Sequence, residues 1–115
     1  MNPNRQQHHV CTAIQYSTDR KTCVWTIVCG ITMNLPGFPT LKLFTWKKDG
    51  LVRLVEETTG VQILSGPSIP YCRKSLAKLL SWLTGDKLMK DCRIMADAAS
   101  VGPKPIVEIV NRYRV

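Results

Sequence analysis

Acidic residues are scarce in this chain, with 8 Asp and Glu against 16 Lys and Arg in 115 residues. Aromatics are few at 7%. The five cysteines form no CxxC pair and no regular spacing, which argues against a structural zinc knuckle and against a disulfide framework. The longest apolar stretch, Val24 to Leu35, is interrupted by Thr26, Gly30, Thr32 and Asn34 and is far shorter than the roughly 20 residues a membrane-spanning helix needs. Asn-x-Ser/Thr acceptors are absent, as are Gly-rich loops that would open a phosphate-binding helix. The polar start, Met1 to His9, lacks the features of a secretory or transit segment. Gly does not follow Met1, and Arg112 to Val115 is not a CaaX box, so the expectation is that no lipid anchor is encoded. Any membrane contact is then peripheral, and the thiols are expected reduced, in a cytosolic or nuclear setting.

What remains is positive charge. The net charge is +8 and the pI near 9.5. Such a balance points to a polyanionic partner, either a phosphate backbone or an anionic membrane surface, with a merely solvated surface as the plain alternative. The excess is concentrated: Arg73, Lys74, Lys78, Lys87, Lys90 and Arg93 stand in one stretch with Asp86 and Asp91 as its only acids. Lys47, Lys48 and Arg53 form a second, smaller basic candidate, where Phe44 and Trp46 share a strand face with Lys42 and Lys48. Core packing is the ordinary fate of such aromatics.

The length suits one domain with a genuine core, since 44% of residues are hydrophobic. Residues 1–8 read as a flexible tail and 9–115 as a single domain. His9 to Tyr16 and Thr22 to Met33 read as a hairpin. Residues 23, 25, 27, 29, 31 and 33 place Cys, Trp, Ile, Cys, Ile and Met on one face, and the other face is only half polar, so the strand is expected to be central and covered on both sides. Leu35 to Pro39 is a turn. Strands follow at Thr40 to Lys47, Leu51 to Glu57 and Val61 to Leu64, with Asp49-Gly50 as a tight turn.

Helical periodicity then takes over. Leu76, Leu79, Leu80 and Leu83 predict a helix over Tyr71 to Thr84 that ends at Gly85. Asp86 is the expected cap of a second helix to about Ala99, which should bury Leu88, Cys92, Met95 and Ala99. The alternation of Val107, Ile109 and Tyr113 with Glu108, Arg112 and Arg114 predicts a final edge strand. The expected fold is α+β, a mostly antiparallel sheet or small sandwich with two helices packed against it.

The residues point to no catalytic group, metal ligand set or cofactor. His8 and His9 have no carboxylate or thiol at ligand spacing. Cys23 and Cys29 would sit about 20 Å apart along a strand. Glu56 and Glu57 would face opposite ways, so they do not form a paired-carboxylate site. Signatures of sequence-reading RNA domains are missing as well, so nucleic-acid binding would be chiefly to the backbone.

The run Pro36-Gly37-Phe38-Pro39-Thr40-Leu41, with alternating apolar residues before it and a strand after it, resembles the early segment of bornavirus matrix proteins. In that family a similar Pro-Gly-aromatic-Pro-Thr-Leu turn sits between two strands. Size, basic character and a β-rich body followed by helix also suit the small single-domain matrix proteins of negative-strand RNA viruses, of bornavirus or nyavirus type. This chain has more residues before the motif and far fewer after it. The resemblance implies a non-enzymatic virion protein with a fold like the amino-terminal domain of filovirus matrix proteins. It further implies self-assembly into a tetramer or other even homo-oligomer, binding of anionic membrane lipid, and a link to the viral ribonucleoprotein or RNA. Its place would be the virion and the host cytoplasm or nucleus, at the inner face of the membrane. No PPxY, PTAP or YPxL budding motif accompanies it. A basic RNA-binding or interferon-antagonist accessory protein is the alternative.

Overall fold

The computed structural model describes residues 8–16, 22–35, 37–38, 41–99 and 101. Five strands come first: β1 His8–Tyr16, β2 Cys23–Met33, β3 Leu43–Lys48, β4 Leu51–Glu56 and β5 Gln62–Gly66. Helices α1 Ile69–Leu79 and α2 Gly85–Ala99 follow. Each strand pairs antiparallel with the next, so the sheet is a meander in the order β1-β2-β3-β4-β5. The fold is therefore α+β, as expected. The edge strand expected around Val107 to Tyr113 lies outside the described residues.

Local chemistry accounts for the connections. Asp49 and Gly50 both have positive φ, 54° and 79°, which a two-residue hairpin turn with the right twist requires. Between β4 and β5 the carboxylate of Glu56, fully buried, accepts from the backbone N–H groups of Thr58 at 3.0 Å and Thr59 at 2.7 Å. A buried charge is tolerable when hydrogen-bonded in this way, and the contacts fix the turn. Gly60 ends that turn at φ 74°, where any side chain would collide with Trp25. Its carbonyl accepts from Ile14 N–H at 2.8 Å, which ties β1 to the approach to β5 and curls the sheet.

Alternation along the strands separates two apolar clusters. Leu43 and Leu54 belong to the larger one, with Met33, Val52 and Val61, and α1 and α2 cover it with Cys72, Leu76, Leu88, Met89 and Cys92. Their immediate neighbours Phe44 and Val55 face the other way, into a smaller cluster with Cys11, Ala13 and Val28. Gly30 sits at that crossing because a Cβ there would lie 2.8 Å from the Phe44 ring and 3.0 Å from Cys11 Sγ. Core packing thus holds for Phe44, while Trp46 is half-buried against the smaller cluster.

Several expectations need correction. β2 lies between β1 and β3, yet it is not covered on both sides along its length: Val24 and Ile27 are 42% and 46% exposed and Cys29 is exposed too. The helices reach the Met33 end of that face, and apolar composition alone does not say where a cover stops. β1 starts at His8, one residue earlier than expected. Helix α1 begins two residues before Tyr71, because Ser68 Oγ accepts from Tyr71 N–H at 3.2 Å and Pro70 fits the first turn. It ends at Leu79 in tight turns closed by Leu80, Ser81 and Trp82 N–H groups, not at Gly85. Gly85 opens α2 instead, and Thr84 is the cap, its Oγ1 accepting from Lys87 N–H at 3.1 Å. Asp86, the expected cap, occupies the first turn. The buried arc of α2 runs through Leu88, Met89 and Cys92, with Ala96 packed beside it, whereas Met95 is 54% exposed.

Candidate functional site

Both basic candidates can now be placed. On α1, Cys72 and Leu76 point into the core and Leu79 and Leu80 flank them. The 3.6-residue period therefore turns Lys74 and Lys78 to the opposite side, with Arg73 at the flank, and all three are exposed. The helix contains no acid, and among the described residues no carboxylate lies within 4.0 Å of these three cations. Arg73 and Lys74 rim a shallow open depression of about 560 Å³ whose remaining lining is apolar: Ile69, Pro70 and Ala77. Away from that depression, Tyr71 in the first turn of α1, its ring against Gly66, is 51% exposed, and Trp82 in the turn after the helix is 72% exposed.

α2 differs. Lys87, Lys90 and Arg93 are exposed as expected, but Lys87 Nζ is 3.0 Å from Asp91 Oδ1. Asp86 stands four residues before Lys90, and Asp97 four residues after Arg93, so each cation of this helix has an acid at the spacing where helical side chains meet. The six cations are thus two unlike sets: among the described residues only Lys87 has a carboxylate within 4.0 Å, Lys90 and Arg93 have an acid four residues away on their own helix, and the α1 cations have neither.

The smaller candidate also divides. Register pairs Trp46 with Arg53, Lys48 with Leu51 and Lys47 with Val52. Cross-strand partners share a face, so Lys48 and Arg53 stand together beside Trp46 while Lys47 alternates to the other side. The Arg53 guanidinium lies 5.8 Å from the Trp46 ring centroid, within cation–π range. Its Nη1 donates to Gln62 Oε1 at 3.1 Å.

Three of the five thiols are shielded from solvent. Cys11, Cys72 and Cys92 are buried. Burial first, then the nearby negative charge of Glu56, pushes the Cys92 thiol up to about 11, and burial raises Cys72. Both are then protonated and poorly nucleophilic at neutral pH. Among the described residues no group of three His, Cys, Asp or Glu side chains is placed to hold a metal ion. Likewise, none of the described helices is long and apolar enough to cross a membrane.

Sequence reasoning gave Tyr71 no role and left Trp82 at the edge of a basic helix. The signal available was their position, each at one end of an acid-free amphipathic segment. Comparison with protein families, with curated proteins and with solved structures finds no match to this chain.

Proposed function

We propose that this chain is a viral matrix-type structural protein, not an enzyme, which binds the anionic inner surface of a membrane peripherally and links it to ribonucleoprotein during assembly and budding. The observation that carries the reading is the acid-free outer face of α1. Arg73, Lys74 and Lys78 are exposed there without acidic neighbours on the helix, between exposed Tyr71 and Trp82. Cations with amphipathic aromatics are the composition of an element that lies on a lipid headgroup layer. The viral assignment rests on the resemblance at Pro36 to Leu41, of which Gly37, at φ 87°, Phe38 and Leu41 are described, with Phe38 N–H donating to Leu35 O at 3.2 Å and Leu41 N–H to Phe38 O at 3.1 Å. Self-assembly into an even homo-oligomer, a tetramer foremost, belongs to the same proposal. Ile94 and Met95 on α2, 56% and 54% exposed, offer apolar surface of the kind that subunit contacts bury.

The test is flotation of the purified protein with neutral and with phosphatidylserine-containing liposomes. Flotation with the anionic vesicles alone, lost at high salt, is the expected result. Failure to float with either overturns the membrane reading, and tight salt-sensitive RNA binding in its place would make the chain a basic RNA-binding accessory protein.

A further inference from the structure

The pair Trp46–Arg53 carries chemistry that the α1 face does not use. Trp46 belongs to β3 and Arg53 to β4, opposite each other in register, and the guanidinium is held over the indole. Gln62, on β5, holds the guanidinium from the far side through Nη1, and that hydrogen bond is solvent-exposed. Two donors of this stack, Trp46 Nε1 and Arg53 Nε, are buried and have no acceptor among the described residues. An unmet buried donor costs free energy comparable to a lost hydrogen bond, so native structures rarely keep two in contact without a reason. Small shifts of a half-buried, long-stemmed arginine would bring both to an incoming acceptor.

The surroundings define what that acceptor belongs to. Lys48 follows Trp46 on the same strand face and is exposed. Ser65 pairs with Arg53 from the other side and is exposed as well. Asp49, at the turn tip, is the one acid of the hairpin between Leu43 and Val55. The result is a flat strip on an antiparallel sheet: a guanidinium plane backed by an indole, hydroxyl and amide groups beside it, and a lysine at its end. Arginine planes and aromatics stack unpaired bases, and a neighbouring lysine meets the phosphodiester. A duplex hides its base faces and has no use for such a plane. Lipid headgroups need no stacking surface at all.

We propose that the Trp46–Arg53 stack, with Lys48 and Gln62, is a binding site for single-stranded nucleic acid, separate from the α1 face, so that the chain holds lipid and nucleic acid at once. This deepens the bridging reading above and rests on it in one respect, that the chain engages a nucleic acid at all.

The probe is a fluorescein-labelled oligouridylate of about 12 nucleotides, within the usual site size of such strips. Its binding to the full chain is followed by anisotropy at several salt concentrations. Wild type should bind with a salt slope. R53K keeps the charge but loses the plane, and it should bind about tenfold more weakly. Lys48→Gln, at an exposed position, should weaken binding less and lower the salt slope by about one. Neutralising Arg73, Lys74 and Lys78 to Gln should leave oligonucleotide affinity within about threefold, and labelled oligonucleotide should float with phosphatidylserine liposomes only when protein is present. The proposal is overturned if wild type does not bind, if R53K and Lys48→Gln both bind as wild type does, or if oligonucleotide strips the protein from liposomes. Wild-type flotation without oligonucleotide binding sinks this site alone, whereas oligonucleotide binding without flotation sinks the membrane reading alone.

Discussion

Helices α1 and α2 are both amphipathic, both cover the same apolar cluster, and both carry three cations on their outer faces. They differ in what those cations do for their own helix. In α2, Asp86 sits in the first turn, where the helix dipole favours an acid, and Lys87 pairs with Asp91 one turn on. The α2 charges form a self-contained, solvated face. In α1 no acid occupies the first turn, and Arg73 and Lys74 stand beyond it, where the dipole gives positive charge no support. Only Lys78, in the last turn, helps the helix. Charge that a helix does not need for itself is the better sign of an external partner. Composition counts six equal cations, and the helices show that one of them, Lys87, is already paired and that two more share their helix with an acid at i, i+4 spacing.

This contrast can be broken or sharpened by experiment, beginning with the core. Leu76 of α1 is fully buried, and Leu76→Ala should cost about 2–5 kcal/mol in denaturant unfolding, as cavities in closed cores do. Met95→Ala on α2 should stay within about 0.5 kcal/mol, because that side chain is largely in water. A large loss at Met95 would restore the buried arc that periodicity suggested and remove it from the proposed subunit contact.

Next comes the charge comparison itself. Replacing Arg73, Lys74 and Lys78 by Gln should weaken binding to phosphatidylserine liposomes by about 3 kcal/mol, or roughly a hundredfold, at about 1 kcal/mol per cation. The same change at Lys87, Lys90 and Arg93 should weaken it less than tenfold, since Asp91 already pairs with Lys87 and Asp86 and Asp97 keep negative charge on the same helix. Equal losses from both triples would return the site to a single six-cation surface.

A pH experiment compares the buried thiols. An unfolded thiol titrates near 9, and the folded Cys92 near 11, so between these values the unfolded chain releases a proton that the native chain keeps. Stability is then full below pH 9 and falls as pH rises towards 11, by roughly 2 kcal/mol from this group. Cys92→Ala should flatten that part of the melting profile at some cost in cavity. Cys72→Ala should flatten it too, since burial raises that thiol as well. A profile unchanged by either variant would mean that neither thiol titrates differently in the two states.

The smallest effect expected is at the caps. Ser68→Ala and Thr84→Ala each remove a side-chain oxygen that accepts a first-turn N–H, and each should lower stability by about 1 kcal/mol. An undiminished Thr84→Ala would return the cap of α2 to Asp86.

The parts of the fold that were legible in advance are those set by local rules. Asp49-Gly50 gives a tight turn because both residues accept positive φ. Leu76 and Leu79 announce a helix because 3.6 residues per turn aligns them, although Leu80 proves to be its cap and Leu83 lies beyond it. The helix junction was not legible: Gly85 has the composition of a stop, but the Thr84 hydroxyl and carbonyl make it a start. Nor was the exposed middle of β2, where Ile27 and Cys29 look as apolar as buried neighbours. For the candidate site, the six cations were visible as residues, while their division was not. Asp97 lies just past the basic stretch, and although the expected helix to about Ala99 already held both it and Arg93, which acid actually meets a cation is shown only by the Lys87–Asp91 distance of 3.0 Å. Lys47 parts from Lys48 and Arg53 only through strand alternation and register.

By itself, then, the sequence determined the class of fold, the excess of positive charge from which the proposed partner is argued, and the lack of a membrane-spanning helix among the described residues, since net charge, periodicity and turn chemistry are properties of short stretches of chain. The tertiary structure alone decided which cation is ion-paired, which apolar side chains stay in water, and that Trp46 meets Arg53 with one donor of each unmet among the described residues. Those are matters of distance between elements, and charge and burial depend on distance through the groups that neighbour them in space, not along the chain.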